Sequence, residues 1–270
     1  MRILLYGLAI LLCTGCYEDR VGCLDPDADN YDLQADEGCT DCCVYPDFSI
    51  RISPEWNDTA LVVGQTYTDG AGHPFQLIRF RYYLGELRLE STATELAEPA
   101  RPVELQEGIA GDTTDVILNG NYLLATTTVT TSTVGTLRIG TAALRSFSGT
   151  YGLPDRYRNV IPFTAPSGDA LRTQPGRLNY RDGRGYVQSR LEYTLTPGGD
   201  TLSVSSYGSV PFSLDFGDDL LPERGLDLRL DVTAQLDLLL GSIDLTADSA
   251  TIAQALDREV DFLRPVAIVQ

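Results

Sequence analysis

The chain has 270 residues, with 38 acidic and 20 basic side chains, so its formal net charge is −18. This charge argues against binding to nucleic acid and against adsorption to anionic lipid, and it favours the attraction of cations. The sequence contains no lysine, which excludes a Walker A phosphate loop and Schiff-base chemistry on lysine. The one histidine, His73, lies in a glycine-rich turn at residues 70–74, a position typical of an exposed residue and not of a catalytic triad.

The first residues, MRILLYGLAILLCTGC, predict an export signal at 1–15. Arg2 supplies the positive charge, and the apolar run that follows is shorter than the roughly 20 residues of a membrane-spanning helix. The last four residues resemble a bacterial lipobox, which implies lipidation of Cys16 and an anchor made of several acyl chains. The alternative is an ordinary cleaved signal with Cys16 as a structural thiol. We therefore expect an exported protein, lipid-anchored in the cell envelope on the periplasmic or surface face of an outer membrane.

Residues 16–46 form a stem that is rich in cysteine and aspartate. Export places Cys23, Cys39, Cys42 and Cys43 in an oxidising compartment, so we expect them to form disulfides. Four cysteines allow three connectivities. A bond between the adjacent Cys42 and Cys43 would be strained, so Cys23 is expected to bond to one of the later three. A zinc site is the rival interpretation, and the oxidising compartment and the lack of a nearby histidine disfavour it.

The acidic residues of the stem resemble a calcium-binding loop. Asp25, Asp27 and Asp29 alternate, Asn30 stands where such loops have glycine, and Asp36 lies where the last ligand is expected. The alternative is a solvated acidic loop held by disulfides. The stretch also resembles a short Cys/Asp-rich module of secreted Bacteroidetes proteins. A segment this short cannot bury a core, so disulfides, with or without a metal ion, would have to replace apolar burial.

Beyond Pro46 the sequence alternates between apolar and polar residues, which predicts strands. The predicted strands cover residues 48–52, 60–63, 74–90 with a bulge or kink at Gly85, 115–118, 122–125, 126–133 as an edge strand, 136–140, 185–193, 201–204, 208–212 and 225–232. Irregular connections are expected at 91–112 and 145–182. The second is long enough to suggest a binding site, because long ordered loops commonly carry one.

One helix is predicted near the C-terminus. Asp248 or Ser249 can cap it, and Pro265 would end it. Its apolar stripe at helical spacing consists of Ile252, Ala253, Leu256, Val260 and Leu263. These elements predict a mainly β fold, an antiparallel β-sandwich at 47–270 with a short C-terminal helix and a small disulfide-stapled N-terminal module.

Several stretches of residues 47–264 resemble the MbnP-like family of exported, copper-binding proteins associated with methanobactin. The stretch FRYYLGELRL at residues 80–89 is similar to the family's signature strand, and TLRIG at 136–140 is similar to a later strand. Residues 178–186 stand where the family has Met-x-Trp-x-Trp-x-x-Gly-Tyr. The resemblance implies a β-sandwich and copper binding.

The sequence departs from this family at the residues that would hold copper. Copper binds Cys, His or Met, but Leu178 and Tyr180 stand at the Met and Trp positions, and the only methionine is Met1. Copper is therefore expected from the resemblance alone. The loops around this place instead offer a candidate site for sugars or acidic peptides, since tyrosine and arginine are enriched in recognition patches. Its residues are Asn159, Tyr180, Asp182, Arg184 and Tyr186. The alternative is that arginine and aspartate pair at the surface and the tyrosines cover the core.

Three classes of function remain open. The first is a lipid-anchored binding protein of MbnP-like fold, with a metal ion or a small extracellular ligand as partner. The second is a structural or adhesive envelope lipoprotein without a metal in the main domain. The third is an enzyme, and it is disfavoured because carboxylates such as Asp215, Asp218 and Asp219 do not single out a glycosidase pair. We predict a binding protein that is not an enzyme, with calcium as a candidate ion.

Overall fold

The computed structural model describes residues 18–39, 41–93, 96–109, 111–173, 179–181, 183–258 and 261–270. The predicted signal and Cys16 lie outside these residues. The helices of this part are α1 (Leu236–Leu240) and α2 (Ser249–Leu256), with 3-10 turns at Asp155–Tyr157 and Pro162–Thr164. The strands are β1 (Val21–Gly22), β2 (Glu37–Gly38), β3 (Asp47–Trp56), β4 (Thr59–Ala60), β5 (Thr66–Thr68), β6 (Pro74–Ser91), β7 (Leu96–Ala97), β8 (Pro102–Ile109), β9 (Asp112–Asn119), β10 (Leu123–Ala125), β11 (Thr130–Thr136), β12 (Leu144–Tyr151), β13 (Tyr180–Arg181), β14 (Gly185–Tyr186), β15 (Ser189–Thr194), β16 (Leu202–Ser206), β17 (Val210–Leu220), β18 (Leu228–Gln235) and β19 (Leu263–Val269).

Two sheets pack face to face and enclose the main core, as the sequence predicted. The larger sheet has the order β16-β15-β6-β12-β17, and β5, β7 and β10 also pair with β6. The smaller sheet has the order β11-β3-β18-β19, with β4 paired to β3. Pairing within both sheets is antiparallel except between β3 and β18, which run parallel. Alternate side chains of β3 and β6 fill the core between the sheets, among them Phe48, Ile50, Ile52, Phe80, Tyr82 and Leu84.

The long strand β6 lies at the centre of the larger sheet and contains the predicted irregularity near Gly85. Gly85 pairs with Thr150, but Arg88 pairs with Ser148, so β6 has one extra residue at this point. The extra residue reverses the side-chain alternation, which brings both Leu84 and Leu87 into the main core. A second register shift lies next to Leu77, whose side chain is in the main core.

The outer face of β6 carries a second, smaller core beneath the β8–β9 hairpin. Its buried side chains include Tyr83, Val103, Leu105, Tyr122, Tyr157, Leu171 and Tyr186. The prediction of an irregular connection at 91–112 was wrong, because residues 102–109 pair with β9 along their whole length. The hairpin buries few of its side chains, so its sequence lacks a strong alternation.

The prediction of a loop from residue 145 was also wrong for its first part. Strand β12 lies between β6 and β17 in the larger sheet. Its sequence resembles a loop because it contains small residues where backbones approach closely. A Cβ atom added at Gly149 would lie 2.8 Å from the carbonyl oxygen of Gly85. Beyond Tyr151 the described chain is mostly irregular, as expected.

The predicted helix begins correctly and ends early. Asp248 caps α2 by accepting hydrogen bonds from the backbone N–H groups of Ala250 and Thr251. The helix ends at Leu256, and Leu263 begins β19, an edge strand that tolerates Pro265. Val260 lies outside the described residues. Three other predictions differ from the structure. Helix α1 was not predicted, and residues 61–63 are not a strand. The strand predicted at 136–140 is also wrong, because β11 ends at Thr136 and residues 137–140 are not in a strand.

The stem packs against the sandwich and is closed by two disulfides, Cys23–Cys43 and Cys39–Cys42. The expected bond from Cys23 to a later cysteine is therefore confirmed. Arg138 Nε lies 3.0 Å from Asp25 Oδ2, and Arg224 Nε lies 2.5 Å from Asp27 Oδ1. In the part of the chain that the structure describes, no helix is long and apolar enough to cross a membrane.

Candidate functional site

The irregular segments on the outer face of the larger sheet form a cleft of about 490 Å³. We call it the Arg/Tyr cleft. It is lined by Gly108, Arg158, Asn159, Ile161, Tyr180, Gly183, Arg184, Gly185 and Tyr207. A second cavity of about 250 Å³ adjoins it, shares Arg158, Arg184 and Tyr207, and also contacts Asp155 and Tyr186.

One wall of the cleft is the loop that carries Arg158 and Asn159. The 3-10 turn before them is anchored by Tyr157, which is fully buried and donates its hydroxyl hydrogen to the carbonyl oxygen of Asn119. The backbone N–H of Gly108, in β8, donates to the carbonyl oxygen of Asn159 over 3.0 Å. The loop is therefore fixed at both ends, while the side chains of Arg158 and Asn159 remain exposed.

The opposite wall is the small β13–β14 hairpin. Tyr180 pairs with Tyr186, and Gly183 and Gly185 have φ angles of 76° and 84°, which favour glycine. Tyr186 is buried and donates its hydroxyl hydrogen to the carbonyl oxygen of Leu171 over 3.1 Å. Burial raises the pKa of the Tyr186 hydroxyl, so this group stays neutral. Tyr186 therefore supports the hairpin from below, and Tyr180, which is half-buried, lines the cleft.

Among the residues that the structure describes, two arginines of the cleft have no carboxylate partner. The Arg184 guanidinium lies 4.0 Å from the centre of the Tyr207 ring, a cation–π contact. Within the described residues, neither Arg158 nor Arg184 has a carboxylate oxygen within 4.0 Å. Several other arginines are paired with a carboxylate, for example Arg156 with Glu86 at 3.4 Å. Tyr186 is buried in the second core and Tyr180 packs against it, as the alternative interpretation expected of the tyrosines.

The structure brings together most of the residues that the sequence proposed. Asn159, Tyr180 and Arg184 line the same cleft, Tyr186 lies in the adjoining cavity, and Asp182 lies outside the described residues. Their role in ligand binding stays a prediction. Tyr207, which follows β16, was not predicted as a residue of the cleft. A lone tyrosine after a strand gives no signal of its own.

The residues of the cleft do not fit copper. Its described lining offers guanidinium, phenol, amide and backbone groups but no imidazole, thiolate or thioether, the ligands that copper prefers. No chemistry is therefore assigned to copper at this place.

The predicted calcium ligands of the stem are not gathered around one point. No three of Asp25, Asp27, Asp29 and Asp36 have ligand oxygens within 4.8 Å of one another. Asp25 and Asp27 face Arg138 and Arg224 of the sandwich, and the backbone N–H of Asp27 lowers the pKa of Asp25. Asn30 binds the backbone of Cys42 and Val44 and does not adopt a positive φ. Calcium binding by this loop stays a prediction that the geometry does not support.

The fold and the site define a mainly β, two-sheet protein with a disulfide-closed stem and an arginine- and tyrosine-lined cleft. No protein-family model matches the chain, and no curated protein matches it. Among solved structures the chain is similar to MbnP from Methylosinus trichosporium. The match covers 74% of this chain and 79% of that chain, with 13% identity and a TM-score of 0.42. This similarity is distant, and no residue role is transferred from it.

Proposed function

We propose that this chain is an exported, lipid-anchored binding protein, not an enzyme, and that its Arg/Tyr cleft binds a sugar that carries carboxylate groups. The observation that carries the proposal is the pair of exposed arginines, Arg158 and Arg184, that lack a carboxylate partner among the described residues of a chain with net charge −18. In such a chain a nearby acid would be expected to neutralise them.

The chemistry of the cleft suits an acidic sugar. A guanidinium binds a carboxylate through two parallel hydrogen bonds. Contact with the Tyr207 ring holds the Arg184 guanidinium in place before a ligand arrives. The half-buried ring of Tyr180 and the amide of Asn159 offer an apolar surface and hydrogen-bonding groups for a sugar ring.

The test is calorimetric titration of the protein with oligosaccharides of uronic acids, with neutral oligosaccharides and acidic peptides for comparison. Arg158→Gln and Arg184→Gln should each weaken binding of the acidic sugar about tenfold or more, since a hydrogen bond to a charged group contributes about 1.5–3 kcal/mol. The matched control is Arg145→Gln. Arg145 is exposed on β12, makes no ion pair with described residues and lies outside the cleft.

Three results would contradict the proposal. An equal loss of affinity in the Arg145→Gln variant would show that only the overall charge matters, and binding of acidic peptides alone would exclude a sugar. Shortened oligosaccharides in a mass spectrum after incubation would show that the protein is an enzyme. Lipid attachment is tested separately by labelling cells with an alkyne fatty acid. The parent chain should take up the label, and the Cys16→Ser variant should not.

A second function, rigid support of the sandwich at the envelope surface, is favoured by the way the stem is fixed. Two disulfides close the stem, and the ion pairs of Arg138 and Arg224 hold it against the sandwich. Such a stem would present the cleft in one orientation. Replacing both arginines by glutamine should increase proteolytic cleavage in the stem without changing sugar binding.

A further inference from the structure

The single histidine of the chain lies beside two aspartates, away from the Arg/Tyr cleft. His73 Nδ1 is 3.4 Å from Asp69 Oδ2 and 3.6 Å from Asp244 Oδ1. One ligand atom from each of the three residues lies within 4.8 Å of the other two. No other group of this kind occurs among the described residues.

Two distant segments meet to form this group. Asp69 and His73 belong to the turn between β5 and β6, and Asp244 follows α1. The backbone N–H of Gly70 donates to the carbonyl oxygen of Ile243 over 2.8 Å. A Cβ atom at Gly70 would lie 2.5 Å from the carbonyl carbon of Ser242, so only glycine permits this approach. The backbone of both segments therefore fixes the distance between the three side chains.

Both carboxylates are fixed in place by hydrogen bonds from neighbouring backbone and hydroxyl groups. Burial opposes ionisation of Asp69, but backbone N–H groups of Leu245, His73 and Ala71 outweigh it and lower the pKa of this carboxyl. Hydrogen bonds from the hydroxyl and the backbone N–H of Thr246 lower the pKa of Asp244. Thr246 donates its backbone N–H and its hydroxyl hydrogen to Oδ1 of Asp244, which fixes the position of this carboxylate beside His73.

We propose that Asp69, His73 and Asp244 bind one divalent first-row transition-metal ion, with Zn²⁺ as the expected ion. Ligand atoms in a tetrahedral zinc site are about 3.4 Å apart when the bonds are about 2.1 Å long, and the distances from His73 Nδ1 are 3.4 and 3.6 Å. Two carboxylates and a neutral imidazole balance a double positive charge. The imidazole favours zinc over calcium or magnesium, which prefer oxygen ligands.

The group is open to solvent on one side, as an exchangeable site requires. The side chains of His73 and Asp244 are 47% and 48% exposed, whereas that of Asp69 is fully buried. An ion could therefore enter from solvent, bind Asp69 at the base and keep water in its remaining position. Hydrogen bonds from Thr246 to Asp244 and from Leu245 to Asp69 orient the carboxylates, as is usual around bound metal ions.

The test is titration of the full, untagged protein with Zn²⁺ after treatment with a chelator, by calorimetry and by NMR of the imidazole nitrogens. One ion per chain should bind, and the nitrogen signals of the only imidazole should shift on its addition. His73→Gln and Asp244→Asn should each weaken zinc binding at least tenfold. Both side chains are exposed, so these variants should keep the circular dichroism spectrum of the parent. Asp69→Asn is less suitable because Asp69 also holds the turn.

The matched control is Asp219→Asn, which removes an equal charge from an exposed position on β17. It should bind zinc as the parent does. The four cysteines that the structure describes are all in disulfides and do not compete for the ion. The proposal would be overturned if the parent bound no zinc, if its imidazole signals did not move, or if the His73→Gln and control variants bound zinc equally. Sugar binding in the cleft does not enter these measurements, so the two proposals fail separately.

Discussion

Asp169 joins the segments beneath the second core, and its replacement gives a quantitative test of the structure. Its carboxylate accepts a hydrogen bond from the Tyr122 hydroxyl over 3.0 Å and one from the backbone N–H of Leu171 over 2.8 Å. It also forms an ion pair with Arg101. The side chain of Asp169 is 5% exposed and that of Arg101 is 29% exposed. The Asp169→Asn substitution keeps the volume but removes the charge.

The expected loss follows from these contacts. Removing one partner of a buried ion pair costs about 3–5 kcal/mol, because the other charge is left without compensation. Arg101 retains some contact with water, so we expect a smaller decrease in the free energy of unfolding, about 2–3 kcal/mol. For a domain of this size each kcal/mol lowers Tm by about 2–4 °C. The expected decrease in Tm is therefore about 4–12 °C.

Thermal unfolding followed by circular dichroism measures this decrease. The Asp219→Asn variant is the control, because Asp219 is exposed and has no side-chain partner among the described residues. A double variant with Arg101→Gln should lose less stability than the two single variants together, since no buried charge then remains. Equal Tm values for Asp169→Asn and the control, or additive losses in the double variant, would refute the assignment of a buried ion pair.

Three further predictions concern the stem and the contact between Gly208 and Asp257. A Cβ atom at Gly208 would lie 2.5 Å from Asp257 Cγ, so Gly208→Ala should destabilise the protein by about 1–3 kcal/mol in urea unfolding, and an unchanged midpoint would contradict this. Burial raises the pKa of Asp257 in the folded state. The contribution of this carboxyl to folding stability is therefore fully present below about pH 3.9, its ordinary pKa, and is lost as pH rises through the higher pKa of the folded state. Asp257→Asn should therefore gain stability relative to the parent as pH rises, and parallel pH profiles would exclude this. The Cys23–Cys43 bond closes a loop with a sequence separation of 20, so replacing both cysteines by serine should destabilise the stem by about 3 kcal/mol. Backbone amides of the stem should then exchange hydrogen faster, and an unchanged exchange rate would contradict this prediction.

The sequence predicted elements where burial follows a simple period. Strand β3 and the β15–β16 hairpin alternate between buried and exposed residues, so they could be recognised. Strand β12 could not, because the need for Gly149 arises from the nearby backbone of Gly85, a contact that exists only in the folded sheet. The prediction extended helix α2 beyond its end at Leu256, because Leu263 continues the apolar spacing of the helix although it belongs to β19.

The candidate sites show the same limit. The sequence indicated that the loops of Asn159 and Tyr180 carry polar and aromatic residues, and the structure places them in one cleft. It could not show that Arg158 and Arg184 have no carboxylate partner among the described residues, since pairing depends on distances across the fold. His73 was interpreted as an ordinary surface residue of a turn. Its proximity to Asp244 depends on the packing of α1 against the sandwich, which no local pattern reveals.

The parallel pairing of β3 with β18 has a consequence for how the chain matures. Strand β3 is the first of the sandwich, and it pairs along its length with a strand that is synthesised near the end. The smaller sheet therefore cannot be completed until β18 has been synthesised, and contacts so distant in sequence form slowly. The pairing of the first and the late strand therefore closes the smaller sheet only after most of the chain has been made.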